Sequence, residues 1–192
     1  MDEKLINLIK KAQNGDKQAL SELIKMEQNN IYTTLFYLKK DDNELMDILQ
    51  NVLIKLSQKI GQLKNPKYFK TWLNQIIVNS YYDYLRKNKK NYDALIKPKN
   101  LNDDDKKEEN EVADETFNPQ NRILYSELDC IIKTSIENLP IHYKIPITLR
   151  EIQGLSYDEI SNITKTSVGT VKSRIARARA KIKDDIDKYA KE

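Results

Sequence analysis

A run of cationic side chains in the last third of the sequence is its strongest chemical signal. Positions 165 to 183 contain seven basic residues and no carboxylate: Lys165, Lys172, Arg174, Arg177, Arg179, Lys181 and Lys183. Lysine and arginine neutralise phosphate, and both can also hydrogen-bond the edge of guanine. A stretch of nineteen positions without an acid therefore favours a polyanionic partner over a merely solvated charged surface.

Two short helices are predicted to position these side chains. The first begins at Ser156, and Glu159 follows three residues later, a spacing typical of a capping box. The pattern breaks at positions 165–167, where Thr166 or Ser167 can cap the second helix. The apolar residues of the second helix recur at alternating steps of three and four, and so form one stripe: Val168, Val171, Ile175, Ala178 and Ile182.

The face of the second helix opposite this stripe combines small and cationic side chains. At about 100° per residue, it holds Gly169, Thr170, Ser173, Ala176, Arg177 and Ala180, with Lys172 and Arg174 on its flanks. Small residues let a helix backbone approach its partner closely, while the long cations extend outward. The two helices and the tight turn predict a helix-turn-helix that binds in the DNA major groove. The alternative is an amphipathic helical hairpin whose basic face is solvated.

The composition of the whole chain favours helices and leaves little room for catalytic chemistry. Charged residues make up 32% of the 192 positions, and only four residues are glycine, which disfavours sheet-and-turn architectures. A single cysteine, Cys130, and a single histidine, His142, form neither a disulfide framework nor a multi-cysteine metal site. We expect no cofactor and no metal. Because no apolar run has the length of a signal peptide or a transmembrane helix, we expect a cytoplasmic protein.

An acidic segment divides the sequence into two lobes. Between Leu101 and Glu115 there are eight carboxylates and two lysines with almost no apolar residue, which is typical of an extended linker. Apolar residues at helical spacing occur on both sides of this segment. We therefore predict an all-α chain in which two small helical domains, at 1–91 and 121–192, are joined by a flexible acidic linker at 92–120.

The last helix of the first lobe is predicted at about 66–87, with an unusual outer side. Five residues point inward: Phe69, Trp72, Leu73, Ile76 and Ile77. The opposite side consists of Thr71, Asn74, Gln75, Val78, Tyr82 and Arg86, with Asn79 at its margin. A valine and a tyrosine among amides are unexpected on a solvated face. Base stacking or packing against a partner would explain them.

Taken together, these segments resemble the bacterial sigma factors of the extracytoplasmic-function group, in the form with only two domains. ELMDILQNVLIKL, at 44–56, resembles the family's segment that binds the polymerase clamp, and FKTWLNQIIVNSYYDYLRK, at 69–87, resembles its promoter-melting segment. LPIHYKIPITLREIQGLSYDEI, at 139–160, and SVGTVKSRIARAR, at 167–179, match the family's final domain. The resemblance spans nearly the whole chain apart from the linker. The sequence departs from the family at Lys165, where glycine is frequent, and at Asn51 and Leu53, where a glutamate and an aromatic are usual.

The resemblance implies an alternative sigma factor and not an enzyme. Such a protein binds core RNA polymerase, directs it to a promoter and helps to melt the DNA for transcription initiation. The residues implied for the duplex upstream element are Arg150, Ser167, Val168, Gly169, Thr170, Lys172, Ser173, Arg174 and Arg177. Those implied for the melted downstream element, with a flipped-base pocket at the loop 61–70, are Lys64, Lys67, Tyr68, Gln75, Asn79, Tyr82, Arg86 and Lys87. Those implied for core polymerase are Asp47, Gln50, Asn51, Leu53 and Ile54.

Several alternatives remain open at this point. Many members of the family are held by a membrane-anchored anti-sigma factor, whereas another subset works without one. The linker either threads through the polymerase or is an inert tether. A stand-alone helix-turn-helix regulator, with a first lobe for dimerisation or sensing, is the principal competing hypothesis. We expect no small-molecule substrate, because the sequence has no histidine–cysteine constellation and no glycine-rich phosphate loop. A lysine at position 165 implies either a turn that avoids positive φ or a small strain.

Overall fold

The computed structural model describes residues 3–39, 42–87 and 122–190, and the predicted linker at 92–120 lies outside these ranges. Within them the chain is helical apart from short turns and includes no β-strand. The predicted all-α fold with two helical lobes is therefore confirmed. None of the helices described is both long enough and apolar enough to cross a bilayer.

Four helices form the first lobe, and their apolar faces meet in a common core. They are α1 (Glu3–Gln13), α2 (Lys17–Leu38), α3 (Asp42–Lys59) and α4 (Phe69–Lys87), with 3-10 turns at Ile60–Gln62 and Pro66–Tyr68. Helix α2 packs against α1 and α3, and α3 packs against α4. The fully buried side chains include Leu23, Leu35, Leu56 and Leu73. This packing fixes α4, which carries five of the eight residues predicted for the downstream element.

Local hydrogen bonds set the starts of α2 and α4. The carboxylate of Asp16 accepts from the backbone N–H groups of Gln18 and Ala19, so the predicted cap of α2 is confirmed. The side chain of Asn65 accepts from the N–H of Lys67 at 3.0 Å and shapes the turn that precedes α4. The amide of Gln13 donates to the carbonyl oxygens of Ile60 and Leu63, at 3.2 and 2.7 Å. These bonds tie α1 to the segment 60–63, which follows α3.

The second lobe contains the predicted helix-turn-helix. Its elements are α5 (Arg122–Asn138), α6 (Ile141–Ile147), a π-helical turn (Thr148–Ile152), α7 (Tyr157–Thr164) and α8 (Val168–Tyr189). The Ser156 hydroxyl and the Glu159 carboxylate satisfy each other's backbone N–H groups, so the predicted capping box of α7 is confirmed. Ser167, one of the two residues predicted to cap α8, does so by accepting from the N–H of Thr170.

The two lobes pack against each other, and this contact overturns one prediction about α4. Asn74 and Val78 were expected on its outer side, but both are fully buried. They lie on the same side of the helix as Thr71, which contacts α7 of the second lobe. Another part of this chain therefore covers the side of α4 that was predicted to face outward. The spacing of apolar residues within α4 alone cannot reveal such a contact.

Candidate nucleic-acid interface

Helix α8 presents its predicted DNA-binding face to solvent. Val171, Ile175 and Ala178 are buried on the opposite side and anchor the helix to its lobe. Of the residues implied for the upstream element, Ser167, Gly169, Lys172 and Ser173 are exposed, and Thr170, Arg174 and Arg177 are half-buried. Val168 is also half-buried, but it lies on the side of the apolar stripe. The structure therefore brings seven of these eight residues to the accessible side at the start of the helix.

Gly169 has no role inside the fold that requires a glycine. An added Cβ would meet only the Ser167 hydroxyl, at 4.0 Å, and the backbone is not in the positive-φ region. Glycine in a helix costs about 0.5–1 kcal/mol relative to alanine. Neither close packing nor a positive φ within the fold explains this cost. The open space above Gly169 is instead suited to the close approach of a partner.

Arg150 joins this surface through the aromatic ring of Tyr157. Its guanidinium carbon lies 4.7 Å from the ring centroid, and the Nζ of Lys172 lies 5.5 Å from the same centroid. The Nη1 of Arg150 also donates to the carbonyl oxygen of Leu155 at 2.9 Å. The helix-turn-helix thus holds two cations beside one ring. Sequence reasoning did not single out Tyr157, whose only signal was its place in the first turn of α7.

Two further side chains limit the charge available at this surface. Arg179 makes an ion pair with Glu151, with Nη2 at 2.9 Å from the carboxylate, so part of the basic run is neutralised within the chain. Burial, together with the nearby Arg174 and Lys181, lowers the pKa of His142 below its usual value. His142 is therefore neutral near pH 7 and adds no charge beside Arg174.

The turn of the helix-turn-helix contains a strained residue. Lys165 adopts the left-handed conformation, with φ 54° and ψ 43°, which non-glycine residues rarely adopt. Of the two alternatives drawn from the sequence, the structure has the strained one. The turn is held by the hydroxyl of Ser161, which donates to the carbonyl oxygen of Thr166.

Replacing Lys165 by glycine is expected to stabilise the second lobe. Glycine adopts the left-handed region freely, so the substitution should raise the free energy of unfolding by about 1 kcal/mol. The measurement is urea denaturation followed by circular dichroism. Lys165→Ala removes the same charge but keeps the strain, and it should leave the midpoint near that of the wild type. An equal gain in both variants would instead assign the effect to the charge.

The residues predicted for the downstream element lie on α4 and on the loop before it. Six of them are exposed: Lys64, Lys67, Tyr68, Asn79, Arg86 and Lys87. Tyr68 is 65% exposed, so its ring is available for stacking on a base. Gln75 and Tyr82 are half-buried, and Tyr82 packs against the core. Gln75 and Tyr82 are therefore less accessible to a partner than the other six residues.

An ionic contact fixes α4 relative to α3. The Nζ of Lys55 lies 2.9 Å from a carboxylate oxygen of Asp83 and 3.1 Å from the hydroxyl of Ser80. Arg86 lies 3.4 Å from the other oxygen of the same carboxylate. Asp83, which lies within the segment 69–87 that resembles the family's melting segment, thus connects the two helices and orients Arg86.

The outer face of α3 exposes apolar side chains among polar ones. Of the residues implied for core polymerase, Asp47, Gln50, Asn51 and Ile54 are exposed, whereas Leu53 is half-buried and packs against the core. Met46, which the sequence did not single out, is 52% exposed beside them, and Ile54 is 46% exposed. Such a mixed face suits a protein partner.

Comparisons with known proteins identify these two lobes. Models of Sigma-70 region 2 and Sigma-70 region 4 match residues 23–91 and 131–182. The ECF RNA polymerase sigma-E factor of Haemophilus influenzae is 36% identical over 183 residues, with 93% of each chain covered. The corresponding factor of Escherichia coli K12 is 34% identical over 184 residues, covering 93% of this chain and 92% of the relative.

Two solved structures share the fold. CnrH, in complex with the cytosolic domain of CnrY, has a TM-score of 0.64 at 19% identity, covering 95% of this chain and 97% of CnrH. The sigma factor RpoE of Bartonella quintana, in complex with the anti-sigma factor NepR, has a TM-score of 0.63 at 19% identity. The match covers 87% of this chain and 96% of RpoE.

The fold and the exposed basic helix define a transcription initiation factor of the sigma type. The matches over nearly the full length narrow this class: the chain belongs to the extracytoplasmic-function (ECF) sigma factors of bacterial RNA polymerase. It is an alternative sigma factor, which binds core RNA polymerase and directs promoter recognition, DNA melting and transcription initiation.

Proposed function

We propose that the second lobe, residues 121–192, binds the upstream promoter element as duplex DNA through the start of α8. The observation that supports this most strongly is the exposed face around Gly169, where space for a partner adjoins Lys172 and Arg177. Arg150, held beside Tyr157, would add a phosphate contact next to the helix. Contacts to phosphate fix the register of a protein on DNA, whereas contacts to base edges, including those of arginine and lysine with guanine, read the sequence.

The first lobe, residues 1–91, would bind the polymerase with one helix and the melted strand with another. The exposed face of α3, with Met46 and Ile54, is the candidate surface for core polymerase. The face of α4 around Asn79, with Tyr68 and Arg86 nearby, is the candidate surface for the downstream element. An aromatic ring that stacks on a base and a cation that meets the backbone are the usual means of binding a single strand.

The remaining assignments follow from this division. Residues 92–120 would act as the linker between the two lobes. The polymerase, and not this chain, would catalyse RNA synthesis. The protein would act in the cytoplasm. An anti-sigma factor is a further proposed partner, because the related RpoE of Bartonella quintana was solved in complex with one.

Transcription reconstituted from core polymerase, this chain and fragmented DNA of its source tests the proposal. The wild type should start transcripts at defined sites. Asn79→Ala should lower initiation about tenfold and change the preference at one downstream position, since a lost base contact costs roughly 1–3 kcal/mol. Asn29→Ala makes the same substitution at an exposed position on α2 and should have no effect. An unchanged preference in Asn79→Ala would remove this residue from the downstream surface.

A further inference from the structure

The π-helical turn at Thr148–Ile152 holds two opposite charges next to each other in the second lobe. Thr148 and Leu149, at the start of the turn, are buried and anchor it in the core. Arg150 and Glu151 follow them in sequence, the first half-buried and the second exposed. The turn is therefore fixed at its start, while its two charged side chains are available for contacts outside the core.

These two charged side chains act on different parts of α8. The guanidinium of Arg150 lies over the ring of Tyr157, which Lys172 also approaches. The carboxylate of Glu151 instead accepts from Nε and Nη2 of Arg179, at 3.1 and 2.9 Å, with both bonds on one oxygen. The first residue thus adds a positive charge beside the early turns of α8, and the next residue neutralises a positive charge further along the helix.

Arg179 lies on the same flank of α8 as Lys172. The two residues are separated by seven positions in the sequence, which is about two helical turns and roughly 10 Å along the axis. Lys172 belongs to the proposed upstream surface, and arginine can bind phosphate as readily as lysine can. If Glu151 were absent, this flank would present cations to a polyanion over two turns of helix instead of one.

The ion pair is accessible enough to compete with a phosphate for the same donors. The side chains of Arg179 and Glu151 are 53% and 44% exposed. Ion pairs between such exposed side chains contribute little to the stability of a fold. A carboxylate oxygen that accepts from Nε and Nη2, however, occupies donors with which an arginine would bind phosphate. The larger consequence of the pair therefore concerns DNA binding and not folding.

The position of each cation decides how far binding depends on sequence. Contacts to phosphate carry no sequence information, and they supply essentially all of the binding to DNA of arbitrary sequence. Because a genome offers a vast excess of such sites, each additional phosphate contact favours the wrong sites collectively. Neutralising Arg179 limits this general attraction, while Gly169 and Lys172 remain exposed at the start of α8.

We propose that Glu151 is a specificity-determining residue of the DNA-binding surface, which keeps Arg179 from contacting phosphate and confines the charge of this flank to the first turns of α8. This inference rests on the proposed binding of duplex DNA through the start of α8. Neighbouring residues of one turn then have opposite roles. Arg150 supplies a contact with DNA, and Glu151 prevents one.

The test compares two exposed acidic residues of the second lobe. Glu151→Gln removes the charge but keeps the size of the side chain. Asp184→Asn removes the same charge from an exposed position on α8, five residues beyond Arg179. Arg179→Ala, alone and combined with Glu151→Gln, completes a double-mutant cycle. Fluorescence anisotropy of the full chain with a labelled duplex of mixed sequence gives the affinity across a salt series, and circular dichroism verifies the fold.

We expect Glu151→Gln to increase the dependence of affinity on salt. One additional phosphate contact raises the slope of log affinity against log salt by about 0.9, so lowering the salt from about 200 to 50 mM should strengthen binding by Glu151→Gln about threefold more than binding by the wild type. Asp184→Asn should keep the slope of the wild type. Arg179→Ala alone should keep it too, because Glu151 already engages this guanidinium, and the double variant should lose the gain.

Reconstituted transcription measures the effect on selectivity. Initiation by the polymerase complex at a defined promoter is challenged with competitor duplex of mixed sequence. Base contacts at the start of α8 fix the helix on the promoter, so the released Arg179 should favour the competitor more than the promoter. Glu151→Gln should therefore be inhibited at competitor concentrations up to about threefold lower than the wild type. Asp184→Asn should match the wild type.

Five results would overturn the proposed role of Glu151. They are an unchanged slope in Glu151→Gln, an equal rise in Asp184→Asn, a gain that persists without Arg179, a lower slope in Arg179→Ala alone, and a steeper slope without greater sensitivity to competitor. Failure of the proposed function of α8 is a different result. It would appear as unchanged promoter affinity after removal of Lys172 and Arg177, a measurement in which Glu151 stays intact.

Discussion

Replacing Ile54 by glutamate is expected to weaken binding to core RNA polymerase about 30-fold or more, which corresponds to a hot-spot loss of roughly 2 kcal/mol or above. Ile54 is 46% exposed on α3, so its side chain contributes little to the fold of the lobe. At an interface, however, the glutamate would bury a charge without a partner. Titration of labelled core polymerase with the variant measures the loss, and initiation should fall in parallel.

Met26→Glu is the matched control for this substitution. Met26 is also an exposed apolar residue, at 54%, but it lies on α2 and outside the face around Asp47 and Gln50. It should bind core polymerase like the wild type. Equal weakening in both variants would indicate a general effect of acidic charge, and unchanged binding in Ile54→Glu would exclude this face of α3.

The helix-turn-helix was predictable from the sequence because its determinants are local. The stripe of Val171, Ile175 and Ala178 fixes which side of α8 is buried, and the capping box between Ser156 and Glu159 fixes where α7 begins. Each of these signals lies within one or two helical turns. The exposed face of α8 follows from them without knowledge of any distant residue.

The face of α4 was not predictable in the same way. Thr71 and Glu159 are separated by 88 positions, and Thr34 and Gln153 by 119. A periodicity inside one helix identifies a buried stripe but not a second stripe covered by another lobe. Val78 was consequently placed outside and proposed to meet a base or a partner, whereas the structure buries it completely.

The backbone conformation of Lys165, in the turn between α7 and α8, also could not be decided from the sequence. Lysine disfavours the left-handed region, so local preference argues against φ 54° at Lys165. The packing of α7 and α8 on a shared core decides the turn instead, since Ile160, Ile163 and Val171 are all buried. Here tertiary packing outweighs a conformational preference of about 1–2 kcal/mol.

The double substitution Lys172→Ala and Arg177→Ala is expected to lower promoter affinity of the polymerase complex about 30- to 100-fold at moderate salt. Lys172 is exposed on the flank of the predicted face and Arg177 is half-buried on that face, outside the buried stripe of Val171 and Ile175, so neither truncation creates a cavity in the core. Loss of phosphate contacts should also reduce the slope of log affinity against log salt by about 1–2. Filter binding across a salt series measures both quantities.

A matched pair on the same helix separates a local contact from overall charge. Lys183→Ala and Lys188→Ala remove two positive charges from exposed positions further along α8. At about 1.5 Å per residue, Lys183 lies roughly 16 Å beyond Lys172, outside the proposed contact. This control should change affinity only slightly and leave the salt slope nearly intact. Similar losses in both pairs would mean that α8 attracts DNA by charge alone, and that its first turns do not form the upstream contact.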